Sequence, residues 1–386
     1  MVLRVDARDR GLFPAAPKLK GRAAELTTLA RTVRSTAPTR LALVGAGGSG
    51  KSVLAAALGH RLADHFEGGI HWFRVGAWDF RTLTEMLALR FGTSRERHEL
   101  VPGIRKYLAS GGQRLLVLDN HEDDQAMARF LDALSGTPAT FLITARRCLL
   151  AGVLIFPVTA PLITSGRSAF PRVARLTREL RWNPLALDIA DAIVGSHGAS
   201  VAELAAFLEH EGIFTVRVID HEDDLPEVAL LVTWAWKHLP LASHRMLGVL
   251  AHIEGDSVDQ ESLVRLAHVA GRRPKVGGTG DAQGAIDALR RWHLVQEPMR
   301  GRFAVHAVVR HAVRQRTRLS QGEVFEHYVS LLEKHPERLM MEQTHLFAAM
   351  DHAHRESDLT GMLRIERLLQ QLDKNAPRSP RINPDE

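Results

Sequence analysis

Three kinds of apolar pattern follow one another along this chain, and each predicts a different element. Short unbroken runs come first: Leu41-Ala42-Leu43-Val44, then Gly69 to Val75, then Arg114-Leu115-Leu116-Val117-Leu118-Asp119-Asn120, then Thr140 to Arg147. Runs that are continuous rather than alternating belong to strands covered on both faces, as in a parallel sheet. Apolar positions at helical spacing lie between them, over Val53 to Leu62 and Thr82 to Leu89. The βα unit made by Gly69–Val75 and Thr82–Leu89 separates the first strand from Arg114–Asn120, which is expected beside that first strand. Leu149 to Ile163 is the most apolar stretch, but it is shorter than a bilayer span and contains Pro157 and Pro161, so it reads as a buried strand and its exit.

Further on the pattern turns helical. Leu225 to His238 is one helix, and Leu241 to Ala270 with Asp281 to Trp292 make three amphipathic helices. Strand-like His293 to Glu297 and Phe303 to His306 follow around a turn at Gly301, which is the order of a winged helix. Gly322 to His335, Arg338 to His354 and Leu359 to Lys374 are helical again, and a Pro-rich charged tail, Ala376 to Glu386, follows. The fold class is therefore α/β: a parallel sheet first, then helical and winged-helix parts and a short carboxyl-terminal helical segment.

Composition narrows the class. With 386 residues, 45% of them hydrophobic and 24% charged, the chain is an ordinary globular protein of two to four subdomains. A single cysteine, Cys148, forms neither an intrachain disulfide nor a cysteine-based metal cluster, which suits a reducing cytoplasm. Met1 to Arg10 is charged throughout and lacks the apolar core of a signal peptide, and no membrane association is expected. The net charge of +6 comes mainly from scattered arginines, so it permits nucleic-acid binding without demanding it. The 20 histidines include no metal-binding His pair with a third ligand nearby, and they read as isolated residues. His-Glu-Asp-Asp occurs at 121–124 and 221–224, too short for a duplication: the first copy reads as a solvated loop beside the site, the second as a linker.

The candidate chemistry sits at the strand ends. Gly45-Ala46-Gly47-Gly48-Ser49-Gly50-Lys51-Ser52 directly follows the first strand and fits the phosphate-binding P-loop at every required position. Gly45, Gly47, Gly48, Ser49 and Gly50 let successive backbone N–H groups surround phosphate oxygens, and the helix opening near Lys51 and Val53 aims its positive end at them. Lys51 is expected on the β- and γ-phosphates of ATP or ADP, and Ser52 on Mg²⁺. Asp119, ending its strand, is the second Mg²⁺ residue. Arg146 or Arg147, at the carboxyl edge of the third run, can sense the γ-phosphate. Asn120 stands where many P-loop ATPases place a second acid, and an amide is a very weak base, so hydrolysis should be slow.

With these motifs in place the chain resembles the NB-ARC class of STAND ATPases over roughly residues 19–316. Lys20-Gly21-Arg22-Ala23-Ala24-Glu25-Leu26 is similar to that class's opening motif, which implies that Gly21 and Arg22 pack against adenine. Thr144-Ala145-Arg146 is similar to its sensor motif and assigns the γ-phosphate contact to Arg146. Asn183-Pro184-Leu185-Ala186-Leu187 resembles its helical-subdomain motif, which places Pro184 and Leu185 against the base or ribose, although the family usually has glycine where this chain has Asn183. His306 falls where the family contacts the β-phosphate of ADP; as a lone histidine ending a strand it would otherwise be structural.

The resemblance implies a domain order: an extended arm over 1–20, a P-loop domain over 21–160, a helical subdomain over 161–238, a winged helix over 239–317, helices resembling the start of a tetratricopeptide array over 318–375, and a tail over 376–386. It implies a slow ATPase acting as a switch, closed with ADP and oligomerising as copies of itself with ATP. Effector and sensor are expected in trans or on other segments, since residues 2–18 leave room only for an arm. The alternative is a transcriptional regulator whose winged helix and Arg272-Arg273-Pro274-Lys275 touch DNA, a partner that the scattered charge does not favour.

Overall fold

The computed structural model describes residues 13–17, 19, 21–36, 38–76, 78–159, 172–177, 179–180, 183–215, 226–253, 257–270 and 279–375. Its first half is a five-stranded parallel sheet made by β1 (Arg40–Val44), β2 (Ile70–Arg74), β3 (Leu115–His121), β4 (Thr140–Ala145) and β5 (Leu154–Pro157), in the order β2-β3-β4-β1-β5. The strand carrying Asp119 is thus not beside the P-loop strand. β4 lies between them, pairing with β1 from Arg40 opposite Phe141 to Val44 opposite Ala145, and with β3 on its other side. Unbroken apolar runs look alike on every inner strand, so the pattern could not rank their neighbours.

Side chains alternate between the two faces of the sheet. Leu41 and Leu43 of β1, Leu115 and Val117 of β3 and Ile70 and Trp72 of β2 pack with α1 (Ala23–Thr36) and α2 (Lys51–Arg61). Ala42, Leu116, Leu118 and Phe73 face α3 (Phe80–Phe91), α4 (Leu100–Ala109) and α5 (Asp124–Ala133). The same parity sends Arg74 and Asp119, the next residues in the first series, to the α2 face. Helix starts are capped locally: Asp79 accepts from the Thr82 N–H at 2.8 Å, and Asp123 from those of Gln125 and Ala126 at 2.9 and 3.0 Å.

Two further expectations fail in this half. β5 is an edge strand rather than a buried one, with Leu154 and Ile155 47% and 49% exposed and Leu149 88% exposed just before it. Apolar composition made it look like its neighbours; its place at the end of the strand order left it open on one side. Pro161 and Ile163 lie outside the described residues. His121 is not part of a solvated loop: it ends β3, is buried, and bonds Asp124 at 2.6 Å. The second His-Glu-Asp-Asp copy lies outside the described residues.

The second half contains α6 (Pro184–His197), α7 (Val201–Thr215), α8 (Pro226–His238), α9 (Leu241–His252), α10 (Gln260–Ala270) and α11 (Thr279–Arg291). A small antiparallel sheet follows the order β6-β8-β7, from β6 (Val258–Asp259), β7 (Gln296–Met299) and β8 (Arg302–Ala304). The three amphipathic helices and the turn at Gly301 are where the pattern put them; β6 is too short to leave a periodicity. One apolar cluster runs through these helices, β6 and β8, with Trp292 among its largest fully buried side chains. Among the described residues no helix is long and apolar enough to cross a membrane.

The last helices, α13 (Gln321–Lys334), α14 (Gln343–Arg355) and α15 (Leu359–Asn375), fold back onto the first half. Phe325, Phe347, Ile365 and Leu368 join Met86 and Leu87 of α3 in one core. Each large apolar side chain buried this way contributes about 1.5–3 kcal/mol. A buried ion cluster ties the same helices to β8. Arg302 donates Nη1 and Nη2 to the two oxygens of Glu342 at 2.6 and 2.7 Å, and Nε and Nη2 to the Ser257 hydroxyl and carbonyl at 3.0 and 2.7 Å. Arg338 adds ion pairs to Glu342 at 3.0 Å and to Asp259 at 2.9 Å. Burial alone would push the Glu342 carboxyl up, but the hydrogen bonds from Arg302 and the nearby His345 and Arg338 outweigh it and hold the group below its ordinary value.

Candidate functional site

The loop from Gly45 to Gly50 joins β1 to α2, which begins at Lys51. Gly50 has φ +89°, a left-handed conformation that a side chain would strain, and this turn sets the first N–H groups of α2 around the loop. The Lys51 ammonium bends back and donates to the Gly45 and Ala46 carbonyls at 2.8 and 2.9 Å. Ser52 Oγ donates to Asp119 Oδ1 at 2.6 Å, and Thr144 Oγ1 of β4 donates to the same oxygen at 2.6 Å. Asp119 Oδ2 has no hydrogen bond to any described residue. A hydroxyl beside a carboxylate with one oxygen to spare is a donor set of hard oxygens, the kind that holds Mg²⁺ alongside phosphate oxygens.

β3 bulges just past Asp119, where the register shifts between Leu118 and His121. Asn120 has φ +61°, gives its N–H to Thr144 Oγ1 at 2.9 Å, and turns its amide to Glu122 at 2.8 Å. Asparagine adopts that backbone more readily than most residues. The amide thus stands beside the cleft with an acid two residues away, and Glu122 was not among the sequence candidates.

Two residues brace the loop from behind. Arg22, 4% exposed, donates Nη2 to the Ser49 carbonyl at 2.5 Å and to the Thr159 carbonyl at 2.6 Å, while Nη1 meets Glu25 at 2.6 Å. Lys20, ahead of it, lies outside the described residues. Asn183, the departure from the family's glycine, caps α6 by accepting from the Leu185 and Ala186 N–H groups at 3.0 and 3.1 Å, and its Nδ2 reaches the Gly47 carbonyl at 3.3 Å. One side chain thereby starts the helix of Pro184 and touches the P-loop. A residue that favours helix N-caps, placed just before Pro-Leu, was the readable signal.

A cleft of about 230 Å³ opens in front of the loop. Gly47, Gly48, Gly50, Lys51, Ser52 and Val53 form one wall with Asp119, Asn120 and Arg146; Pro184, Leu185 and Asp188 form another; His306 closes the third. Gly21, Arg22, Gly45 and Ser49 do not line it. Arg146 faces the cleft and Arg147 is exposed, which is the choice between them that the sensor motif implied. Arg74 also lines it and was missed, although a charged residue ending the second apolar run is the same signal that singled out Arg146.

His306 does not end a strand. It is the N-cap of α12 (Ala307–Arg314), and its Nδ1 accepts the Val308 N–H at 3.3 Å. With Nδ1 taken as acceptor, the neutral ring carries its proton on Nε2. The residue keeps some exposure at the mouth of the cleft. The ring itself is shut in, and burial, then the charges of Lys51, Arg74 and Arg146, push it down to about 4. At neutral pH it is a hydrogen-bond donor without a charge.

No family model matches the chain, and no curated protein matches it. Similar solved structures include the Aeropyrum pernix Orc1 protein in complex with DNA, at 17% identity over 80% of this chain and 96% of that one with a TM-score of 0.32. Another is Drosophila ORC bound to DNA, at 11% identity over 80% and 90% with a TM-score of 0.36. A third is AMPPCP-bound DnaA from Aquifex aeolicus, at 14% identity over 82% and 94% with a TM-score of 0.27. At TM-scores this low the structures do not superpose closely. The strand order and register of the sheet, with the P-loop between β1 and α2, define an α/β P-loop ATPase fold in this chain by themselves.

Proposed function

We propose that the chain is a nucleotide switch of the NB-ARC type, which binds ATP or ADP with Mg²⁺ and hydrolyses ATP slowly. The observation that carries this reading is the make-up of the cleft: a P-loop, a sensor arginine, a proline-leucine helix start and a histidine helix cap, from segments far apart in sequence, line one cavity. Bound Mg²⁺ would supply charge neutralisation between the phosphates, held by Ser52 and Asp119. Lys51 exchanges its two loop carbonyls for phosphate oxygens. Arg146 contacts the terminal phosphate, Pro184 and Leu185 take the base or ribose, and Arg22 holds the loop open from behind.

His306 donates its Nε2 proton to the β-phosphate of ADP, which joins the segment 239–317 to the P-loop domain 21–160 and keeps the arrangement closed. Exchange for ATP favours Arg146 over His306, and the opened chains assemble as copies of themselves. Asn120 positions water without removing its proton, so the bound nucleotide acts through differential affinity rather than turnover. The basic segment Arg272–Lys275, on which a DNA-binding reading rests, lies outside the described residues.

The deciding experiment identifies the nucleotide that copurifies and then follows exchange. Mass spectrometry should find ADP on a monomer, and light scattering should rise when a non-hydrolysable ATP analogue with Mg²⁺ replaces it. A protein that binds neither nucleotide defeats the whole reading; one that binds both and never changes mass defeats the switch.

A further inference from the structure

A second cavity, of about 310 Å³, adjoins the cleft on the far side of Ser52 and Asp119. Its lining is mostly apolar. Ala56 of α2 and Trp72 of β2 make the floor, Pro298 and Met299 of the β7–β8 hairpin make the roof, and Pro14 and Pro17 close one side. The arm that brings these prolines is seated in the fold. Phe13 packs edge-on against Trp72 and His60, with ring centroids 5.5 and 5.2 Å away, and His60 Nε2 donates to the Pro14 carbonyl at 2.8 Å. A Cβ on Gly59 would stand 2.5 Å from the Phe13 ring, so glycine makes the room for it.

One charged group stands at the wall shared by the cavity and the cleft. Arg74, sent to that side by the parity of β2, is half-buried and makes no hydrogen bond or ion pair with any described residue. A guanidinium has five donors, and leaving them without partners in a half-buried place is costly. The other charged lining residues are acids, Asp119 and Glu297. Glu297 is already held by Arg290 at 3.0 Å and by the Gly301 N–H at 2.7 Å. One cation without a partner among the described residues, with Asp119 near it at the head of an apolar chamber, favours an anion of single charge over a dianion.

We propose that this cavity binds a small organic monoanion with an apolar body, an aryl- or branched-alkyl carboxylate, whose carboxylate takes both arms of the Arg74 guanidinium while its body lies on Trp72 under Met299. A chamber of this size is at the lower end of those that hold small ligands. Its walls come from the arm, the P-loop sheet and the hairpin, so it is complete only while these three stay together. A bound carboxylate therefore favours this arrangement by mass action, and, resting on the nucleotide reading, it is a metabolite signal added to the switch.

Calorimetric titration of the full chain, with and without ADP and Mg²⁺, tests the site, using 4-phenylbutyrate, 4-methylpentanoate and the uncharged amide of each. Saturable one-to-one binding of an acid is expected, with its amide about ten- to a hundredfold weaker, the loss of one charge-assisted pair. Arg74→Met should bring the acid down to the level of its amide. Met299→Trp or Ala16→Trp, each filling the chamber from a position that is not fully buried, should remove binding of both while ADP still binds. The assignment is overturned if neither acid binds at millimolar concentration, if acid and amide bind alike, or if Arg74→Met leaves the acid's affinity unchanged. If Arg74→Met instead weakens ATP and no acid binds, the guanidinium serves the terminal phosphate and the proposal fails. A chain that binds the acid but no nucleotide keeps this site and loses the switch, so the two failures are distinct.

Discussion

Around Arg302, two guanidiniums and two carboxylates answer one another: Arg302 grips Glu342 with two hydrogen bonds, and Arg338 reaches both Glu342 and Asp259. The cleft in front of the P-loop is built otherwise. Lys51, Arg74 and Arg146 line it with only Asp119 and Asp188 as acids, and Asp119 already accepts two hydroxyls on one oxygen. The first cluster is neutral; the second keeps an excess positive charge, and burial together with that charge pushes His306 down to about 4. Balanced burial serves the fold, because it ties the β8 hairpin to α14. Excess positive charge among the residues that line a cavity serves a ligand that brings negative charge to it.

Breaking one partner in each region should give opposite results. Glu342→Ala leaves Arg302 buried without its carboxylate and should cost about 3–5 kcal/mol in urea unfolding, far more than Arg302→Met combined with Glu342→Leu. Lys51→Ala, by contrast, should leave the unliganded protein's stability within about 1 kcal/mol while weakening ADP and ATP by roughly a hundredfold or more. Equal destabilisation by the two single changes would erase the distinction between the regions.

A finer test concerns the histidine. His306→Ala should weaken ADP by about 1.5–3 kcal/mol, the value of one hydrogen bond to a charged oxygen, and weaken ATP less. Nucleotide-release kinetics and light scattering should show faster ADP loss and open or oligomeric species. If ADP release and mass are unchanged in a folded variant, the ring is only a helix cap.

Acid should separate the regions as well. The lowered Glu342 carboxyl means that its contribution to stability is complete above the ordinary glutamate range and is lost as pH falls through its lower folded value. His306 is also lowered, from 6.5 to about 4, and the slope has the same sign, although here it is the neutral form that the fold favours. Between those values the unfolded chain takes the proton and the native ring does not, so stability falls as pH drops through that window and not below it. Replacing His306 with Gln should remove that first slope and keep the Glu342 slope at lower pH. Phosphates in the cleft offset the three cations, so ADP binding near pH 5.5 should be accompanied by proton uptake in the parent that is missing in the Gln variant. The smallest effect expected is from Asn120→Asp. An acid there should raise single-turnover hydrolysis, but only by about tenfold because Glu122 beside it repels the new charge. A rate at or below the parent's would mean that water positioning is limiting.

Local chemistry was legible in the chain because it needs only neighbours in sequence. The P-loop, the strand that carries Asp119 and the helices from Leu241 to Trp292 follow from spacing and apolar period, and the structure has them in those places; Arg146, which the resemblance implied, lines the cleft. What the sequence could not rank were contacts between distant segments. Apolar content does not say which strand is central, so β4 came between β1 and β3 and β5 became an open edge. A period does not say what a helix packs on, so the last three helices turned back onto α3. Asn183 became a bridge to Gly47, and His306, a local helix cap, came to face the P-loop, only once the two halves met. Hydrogen bonding along the backbone is decided within a few residues; which charges are buried, balanced or left for a ligand depends on surfaces that only tertiary packing brings together.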